Sequence, residues 1–299
     1  MKLMNKQTTS KTNGMPILRA RGFTLIELLV SAVVMVIVVG AAVNYIAVVT
    51  QRSKTEQTKV DLAQEGREFV DEFERDIHQS GYPGCALFNT GANCPAHYND
   101  STMAAGLVYI SNTKIIFEGD VDGDGLVDSV QYRIVDSAGN FPPIGTCPCT
   151  MQRSQVNKVP VVGALTTTGQ GTNFSQELQN IVNSGVPAAG AAYGGGLPIA
   201  GNVLFAGGAT NDAYYAAVTT FKDAPVFSFF DQNGLWPSVG GVPIALPQDY
   251  TTPAGQAGLL QIKSVRLTLN LLGSATTGYD VKNGVRPVVT LVGNGRRNN

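Results

Sequence analysis

From Phe23 to Val49 the chain runs 27 residues without a lysine, arginine or aspartate, and the one charge in that stretch is Glu27. A backbone placed in lipid must satisfy its own hydrogen bonds, so a single apolar segment of this kind has to be helical. At about 1.5 Å per residue it is long enough to cross a hydrocarbon core of about 30 Å with some tilt. Ahead of it lie Lys2, Lys6, Lys11, Arg19 and Arg21 and no acid. That basic leader is expected to stay on the cytoplasmic side and to send the rest of the chain outward. No second apolar stretch of spanning length occurs.

Glu27 is the anomaly. An ionisable group in hydrocarbon is costly and is by default a functional residue with a partner to be found. Its place near the helix start lets the macrodipole offset part of that cost. After Val49 the composition turns polar, through Gln51-Arg-Ser-Lys-Thr-Glu, while Leu62, Phe69, Val70, Phe73 and Ile77 recur at helical spacing. One apolar stripe on a polar helix predicts continuation to about Gln79, laid against a partner surface. Ser80-Gly-Tyr-Pro-Gly84 ends it, since glycine and proline cannot extend the helix. Residues 23 to 79 would form a helix on the order of 85 Å.

Gly22-Phe-Thr-Leu-Ile-Glu27, set between the basic leader and the apolar run, resembles the prepilin cleavage and methylation motif of type IV pilins and type II secretion pseudopilins. The resemblance implies that a membrane peptidase cuts between Gly22 and Phe23 and methylates the new amino terminus. It also implies that Glu27 meets the amino terminus of a neighbouring subunit during assembly. An ordinary secretory signal loses its apolar region on cleavage; here it would be retained. Farther on, Phe73-Glu-Arg-Asp-Ile-His-Gln-Ser-Gly-Tyr-Pro-Gly-Cys85 looks like the PilW-type minor pilins and, more loosely, the J-type pseudopilins of type II secretion. The organisation implied is a leader at 1–22, a transmembrane or filament-core helix at 23–49, an amphipathic continuation at 50–80 and a head at 81–299. A head of that size favours a minor component, because bulk pilin heads are usually smaller.

The head reads as β-rich. Short alternating or apolar runs at Gly106–Ile110, Thr113–Phe117, Ser129–Val135, Asn202–Ala206, Val226–Phe230, Ile262–Leu271 and Val285–Val292 are bounded by glycine, proline, asparagine and aspartate. In the clearest, Val265, Leu267, Leu269 and Leu271 alternate with Arg266, Thr268 and Asn270, as in an antiparallel strand with one wet face. The fold class expected is α+β: a long N-terminal helix whose outer half covers an antiparallel sheet. Gly185–Asn211, rich in glycine and alanine, offers little to bury and reads as a surface loop.

Asp120-Val-Asp-Gly-Asp-Gly-Leu-Val-Asp-Ser-Val-Gln131 has the spacing of a calcium loop. Asp120, Asp122 and Asp124 fill positions 1, 3 and 5, the Leu126 carbonyl position 7, and Asp128 position 9. Gln131 stands where a bidentate glutamate is usual, which removes a charge and a ligand atom and lowers the expected affinity. Flanking strands in place of helices predict a calcium-stapled hairpin, not an EF-hand. An aspartate-glycine turn without metal would carry a similar composition. Glu118 and four aspartates nevertheless crowd into eleven residues, and no lysine or arginine occurs from Ile115 to Tyr132. Such repulsion favours a bound cation.

All four cysteines, Cys85, Cys94, Cys147 and Cys149, follow the apolar run, which suits an oxidising compartment. Cys85–Cys94 is the favoured pair. Cys147–Cys149 bonded to itself would be tight, and a crossed arrangement tying both to the helix end is the alternative. Neither histidine, His78 or His97, lies at ligand spacing from Cys147-Pro-Cys149, and with only two a catalytic Ser-His-Asp set cannot be argued from spacing. Phosphate-loop and dinucleotide fingerprints do not occur. Without the leader the formal charge moves from −1 to −6, which opposes nucleic-acid binding.

The chain is therefore expected to be a non-enzymatic minor pilin. It would be substrate for a prepilin peptidase, a single-pass inner-membrane protein with a periplasmic head, and then part of a pilus with other major and minor pilins. A J-like pseudopilin, and a calcium-dependent adhesin on a pilin anchor, are the alternatives.

Overall fold

The computed structural model describes residues 24–84, 87, 101–141, 143, 147–159, 173–183, 224–273 and 288–297. One helix, α1, runs from Leu25 to Gln79. Contacts divide the chain into two units, Met1–Val49 and Thr50–Asn299. In the first unit every described residue, Thr24 to Val49, is exposed. Among the described residues α1 is the one helix long and apolar enough to cross a membrane.

In the second unit α1 buries Thr55, Gly66, Phe69, Val70, Phe73, Asp76 and Ile77. The expected stripe is thus the contact face, with Leu62 partly buried against the same core. Among the described residues eleven strands follow: β1 (Leu107–Ile110), β2 (Lys114–Gly119), β3 (Asp128–Val135), β4 (Cys149–Asn157), β5 (Ser175–Ile181), β6 (Phe227–Phe230), β7 (Ser238–Val239), β8 (Val242–Pro243), β9 (Gln248–Asp249), β10 (Ser264–Leu272) and β11 (Val288–Arg296). A short helix, α2 (Pro253–Gln261), stands between β9 and β10. The main sheet has the order β11-β10-β5-β4-β3-β2-β1-β9, with β6 also paired to β10, and β7-β8 form a separate ladder. Every pairing is antiparallel.

The α+β class and six of the expected strands are present; Asn202–Ala206 and the Gly185–Asn211 stretch lie outside the described residues. Two central strands, β4 and β5, were not expected. Their sequences, Cys-Thr-Met-Gln-Arg-Ser-Gln-Val-Asn and Ser-Gln-Glu-Leu-Gln-Asn-Ile, are polar on both faces and lack the alternation that marks a half-buried strand. α2 was also missed, although Thr252 caps it by accepting from Gly255 N and Pro253 follows at the first helical position.

Glycine lets α1 lie close on the sheet. A Cβ at Gly295 of β11 would fall 2.5 Å from Cβ of Ile77. At Gly119, where β2 ends, it would fall 2.5 Å from the Gln79 carbonyl oxygen at the helix terminus. Helix end and strand end are therefore in direct backbone contact, and Gly81 N donates to the Glu118 carbonyl at 2.8 Å.

Candidate functional site

At the membrane end, Gly22 and Phe23 lie outside the described residues. The helix they would precede begins with a reciprocal cap. Glu27 N donates to Thr24 Oγ1 at 3.3 Å, while the Glu27 carboxylate accepts from Thr24 N at 3.4 Å and from its hydroxyl at 3.2 Å. This is a capping box, in which Ser or Thr at the cap and Glu three residues on satisfy each other's exposed backbone donors. Glu27 thus has a partner within its own chain. Thr24 was not among the expected site residues; the Thr-x-x-Glu spacing was the signal for it. The carboxylate is held at the positive end of the helix, on an exposed surface that is otherwise apolar.

Where α1 meets the sheet, a buried polar cluster sits among aromatic rings. Asp76 Oδ2 accepts from the Tyr132 hydroxyl at 2.7 Å and from Arg153 Nη2 and Nε at 2.7 and 3.1 Å. Arg153 also lies 3.5 Å from Glu72. Phe69 and Phe73 form T-shaped pairs with the Tyr132 ring, with centroids 5.8 and 5.3 Å apart. Burial, reinforced by the Asp76 charge, pushes the Tyr132 hydroxyl well above its ordinary pKa, so it remains a donor. Burial also raises Glu72, against the pull of Arg153. From this cluster the hydrogen bonds continue outward. Arg153 Nη2 donates to Gln155 Oε1 at 2.9 Å, and Gln155 Nε2 donates to Asp128 Oδ2 at 3.2 Å.

That last carboxylate belongs to the aspartate loop. Asp120, Asp122 and Asp124 are brought together, each offering an oxygen within 4.8 Å of the others. Their oxygens also organise the turn. Asp120 accepts from Gly123 N at 2.8 Å and Gly125 N at 3.2 Å, Asp122 from Asp124 N at 3.1 Å, and Asp124 from Leu126 N at 2.8 Å. Gly123 and Gly125 hold positive φ of 78° and 87°. Asp128 is turned inward, accepting from Val121 N at 3.3 Å as well as from Gln155, and burial raises its pKa. Gln131 is paired within β3, opposite Ile116 and Ser154. Three of the six expected positions therefore converge, Leu126 lies on the exposed turn, and the last two are engaged by the sheet. Three carboxylates on a glycine turn suit a hard divalent cation.

Beside the loop is a buried ion pair that was not expected from sequence. Lys158 Nζ lies 2.7 Å from Glu118 Oε2 and donates to the Met103 carbonyl at 2.9 Å; the same carboxylate accepts from Ala105 N at 2.9 Å. Burial raises the Glu118 pKa, opposed by Lys158. Forty positions separate the two residues in sequence, and only the strand register brings them together.

Cys147 and Cys149 are joined to each other, both buried in the core. The pairing read as tight is the one formed, in place of the crossed arrangement; Cys85 and Cys94 lie outside the described residues. His78 is exposed in the last turn of α1, and His97 also lies outside the described residues.

Residues 17–43 match the family model for the prokaryotic N-terminal methylation motif. Combined with the apolar helix and the antiparallel head, this supports a type IV pilin-like protein. No curated protein and no solved structure matches the chain. The motif implies processing by a prepilin peptidase, membrane anchoring through α1 and assembly with other pilins. A pilin-like architecture points to a structural role and away from catalysis.

Proposed function

We propose that this pilin-like protein is a minor pilin of the PilW type. It is cleaved between Gly22 and Phe23, methylated at Phe23, held in the inner membrane with its head in the periplasm, and then inserted into a type IV pilus or its priming or tip complex. The observation that carries the reading is Glu27, five residues beyond Gly22 and capped at the start of an apolar helix whose described residues from Thr24 to Val49 are all exposed. The capping box aims that carboxylate toward the end of the helix where a neighbour's methylated amine would arrive. Mass spectrometry of the mature chain is expected to find N-methylated Phe23. An intact Met1 would remove the reading. Glu27→Val is expected to insert normally and to be lost from filaments. Co-purification with secretin-gated export machinery instead of pili would assign it as a J-like pseudopilin.

The same reading takes Asp120, Asp122 and Asp124 as a weak calcium staple that stiffens the hairpin between β2 and β3. Ligand that binds only the folded state raises the melting temperature. Millimolar calcium is therefore expected to raise it and chelator to reverse the rise; identical melts would remove the metal, and with it the calcium-dependent adhesin alternative.

A further inference from the structure

Two like-charge clusters of opposite sign lie on the unit Thr50–Asn299. Lys114 of β2 stands directly opposite Arg133 of β3. Like charges facing across an antiparallel pair are destabilising. The two cations are held among aromatic rings. Lys114 Nζ is 4.2 Å from the Tyr109 ring centre and 5.5 Å from that of Phe141, and the Arg133 guanidinium carbon is 5.2 Å from Phe141 and 3.3 Å from Phe174. Arg133 donates its Nε to Gln152 at 2.9 Å. Neither cation has an ion-pair partner among the described residues. The sequence from Ser137 to Gln176, which supplies Phe141 and Phe174, contains no aspartate or glutamate. Burial lowers the pKa of both, and the nearby Asp249 charge only partly restores Lys114.

The complementary cluster is on α1. Asp61, Glu65 and Glu68 are exposed at successive spacings of four and three, which puts them on one helix face. Like charges at that spacing destabilise a helix. None of the three forms an ion pair among the described residues, and Glu68 accepts only from Gln64 at 3.1 Å. Tyr132, next to Arg133, points at α1, so strand alternation puts Lys114 and Arg133 on the sheet face away from it. The two clusters of one copy therefore cannot meet.

We propose that the Lys114–Arg133 pair is a docking point for the Asp61–Glu65–Glu68 stripe of a second copy of this chain. The cations would receive carboxylates presented edge-on to a guanidinium already stacked on Phe174, and both repulsions would be relieved in one contact. Because the two surfaces differ, the contact is heterologous. It stands on the head unit alone and does not depend on the cleavage or the filament assigned above.

The test uses the full chain in neutral detergent micelles, with self-association read by sedimentation velocity at low and high salt. K114E/R133E and D61K/E65K/E68K are each expected to weaken association by roughly tenfold or more at low salt. An equimolar mixture of the two variants should recover it, since the acidic patch of one then faces the basic stripe of the other. High salt should abolish both the loss and the recovery. K114Q/R133Q, with thermal melts of every variant, covers the case in which a reversal prevents folding. Unchanged association in all variants, or no recovery in the mixture, would overturn the proposal. So would association that persists while binding to anionic vesicles is lost, which would assign the cations to a membrane surface.

Discussion

The two halves of α1 are built from the same helix and solve opposite problems. From Leu25 to Val49 the apolar side chains are exposed along every face, and the one carboxylate is folded back onto Thr24. From Thr50 to Gln79 the surface is polar, yet Phe69, Phe73 and Ile77 are buried, and so is a carboxylate, Asp76. In the first half none of the described residues is buried, as suits a helix long and apolar enough to cross a membrane. In the second half the chain's own sheet provides the cover. A carboxylate is held in each setting by a different device: a helix terminus with a reciprocal cap for the exposed Glu27, and a tyrosine and an arginine from the facing strands for the buried Asp76.

The largest effect is expected at Asp76. Asp76→Ala strands the Arg153 guanidinium in a buried site and is expected to destabilise the head by about 3–5 kcal/mol. Chemical denaturation followed by tryptophan fluorescence would read the loss, while membrane insertion stays unchanged. A double change, Asp76→Ala with Arg153→Met, should recover part of it.

Next in size is the junction between helix end and strand end. Gly119→Ala would drive a methyl group against the Gln79 carbonyl, a backbone atom that cannot rotate away. A cost of about 1–3 kcal/mol is expected, measured as a lower denaturation midpoint. In the first half, Thr24→Ala removes one side of the capping box and should cost about 1 kcal/mol of local helix stability. Amide exchange in micelles should speed up over the first turn and leave the head untouched.

The smallest expected effect is on pH dependence. Burial raises Glu118 above its ordinary value of 4.5, so between that value and its folded pKa the native state holds more protons than the unfolded chain. Stability from this group is full below the ordinary value and is lost as pH rises through the folded pKa. The head is therefore expected to melt slightly higher on mild acidification from neutral pH. Glu118→Gln should flatten that slope, and a melting temperature that falls steadily on acidification in both proteins would contradict it.

Much of the architecture is legible in residue spacing. The stripe from Leu62 to Ile77 marks the packing face of α1, and alternation in Val265 to Leu271 marks β10, because each pattern reflects one buried and one wet side. β4 fails that test for a physical reason: Arg153 and Gln155 stand on its covered face as members of a hydrogen-bonded cluster, so polarity there does not mean exposure. The calcium-like spacing likewise predicts six ligand positions, but a register cannot say that Asp128 turns to Gln155. The Thr-x-x-Glu cap at the start of α1 is legible in spacing alone, because both partners lie within one helical turn.

Sequence alone marked one apolar helix long enough to cross a membrane, with a basic leader before it and a methylation motif at its start, since these follow from local composition and order. It also determined that the remainder is a sheet needing a helix to cover it. Only the tertiary structure decided the partners of Asp76, Glu118 and Asp128. Pairing across 77 positions, as for Asp76 and Arg153, depends on strand register and helix docking together. Burial then makes those pairings worth more than any local preference, because an unpaired charge in the core costs far more than a paired one.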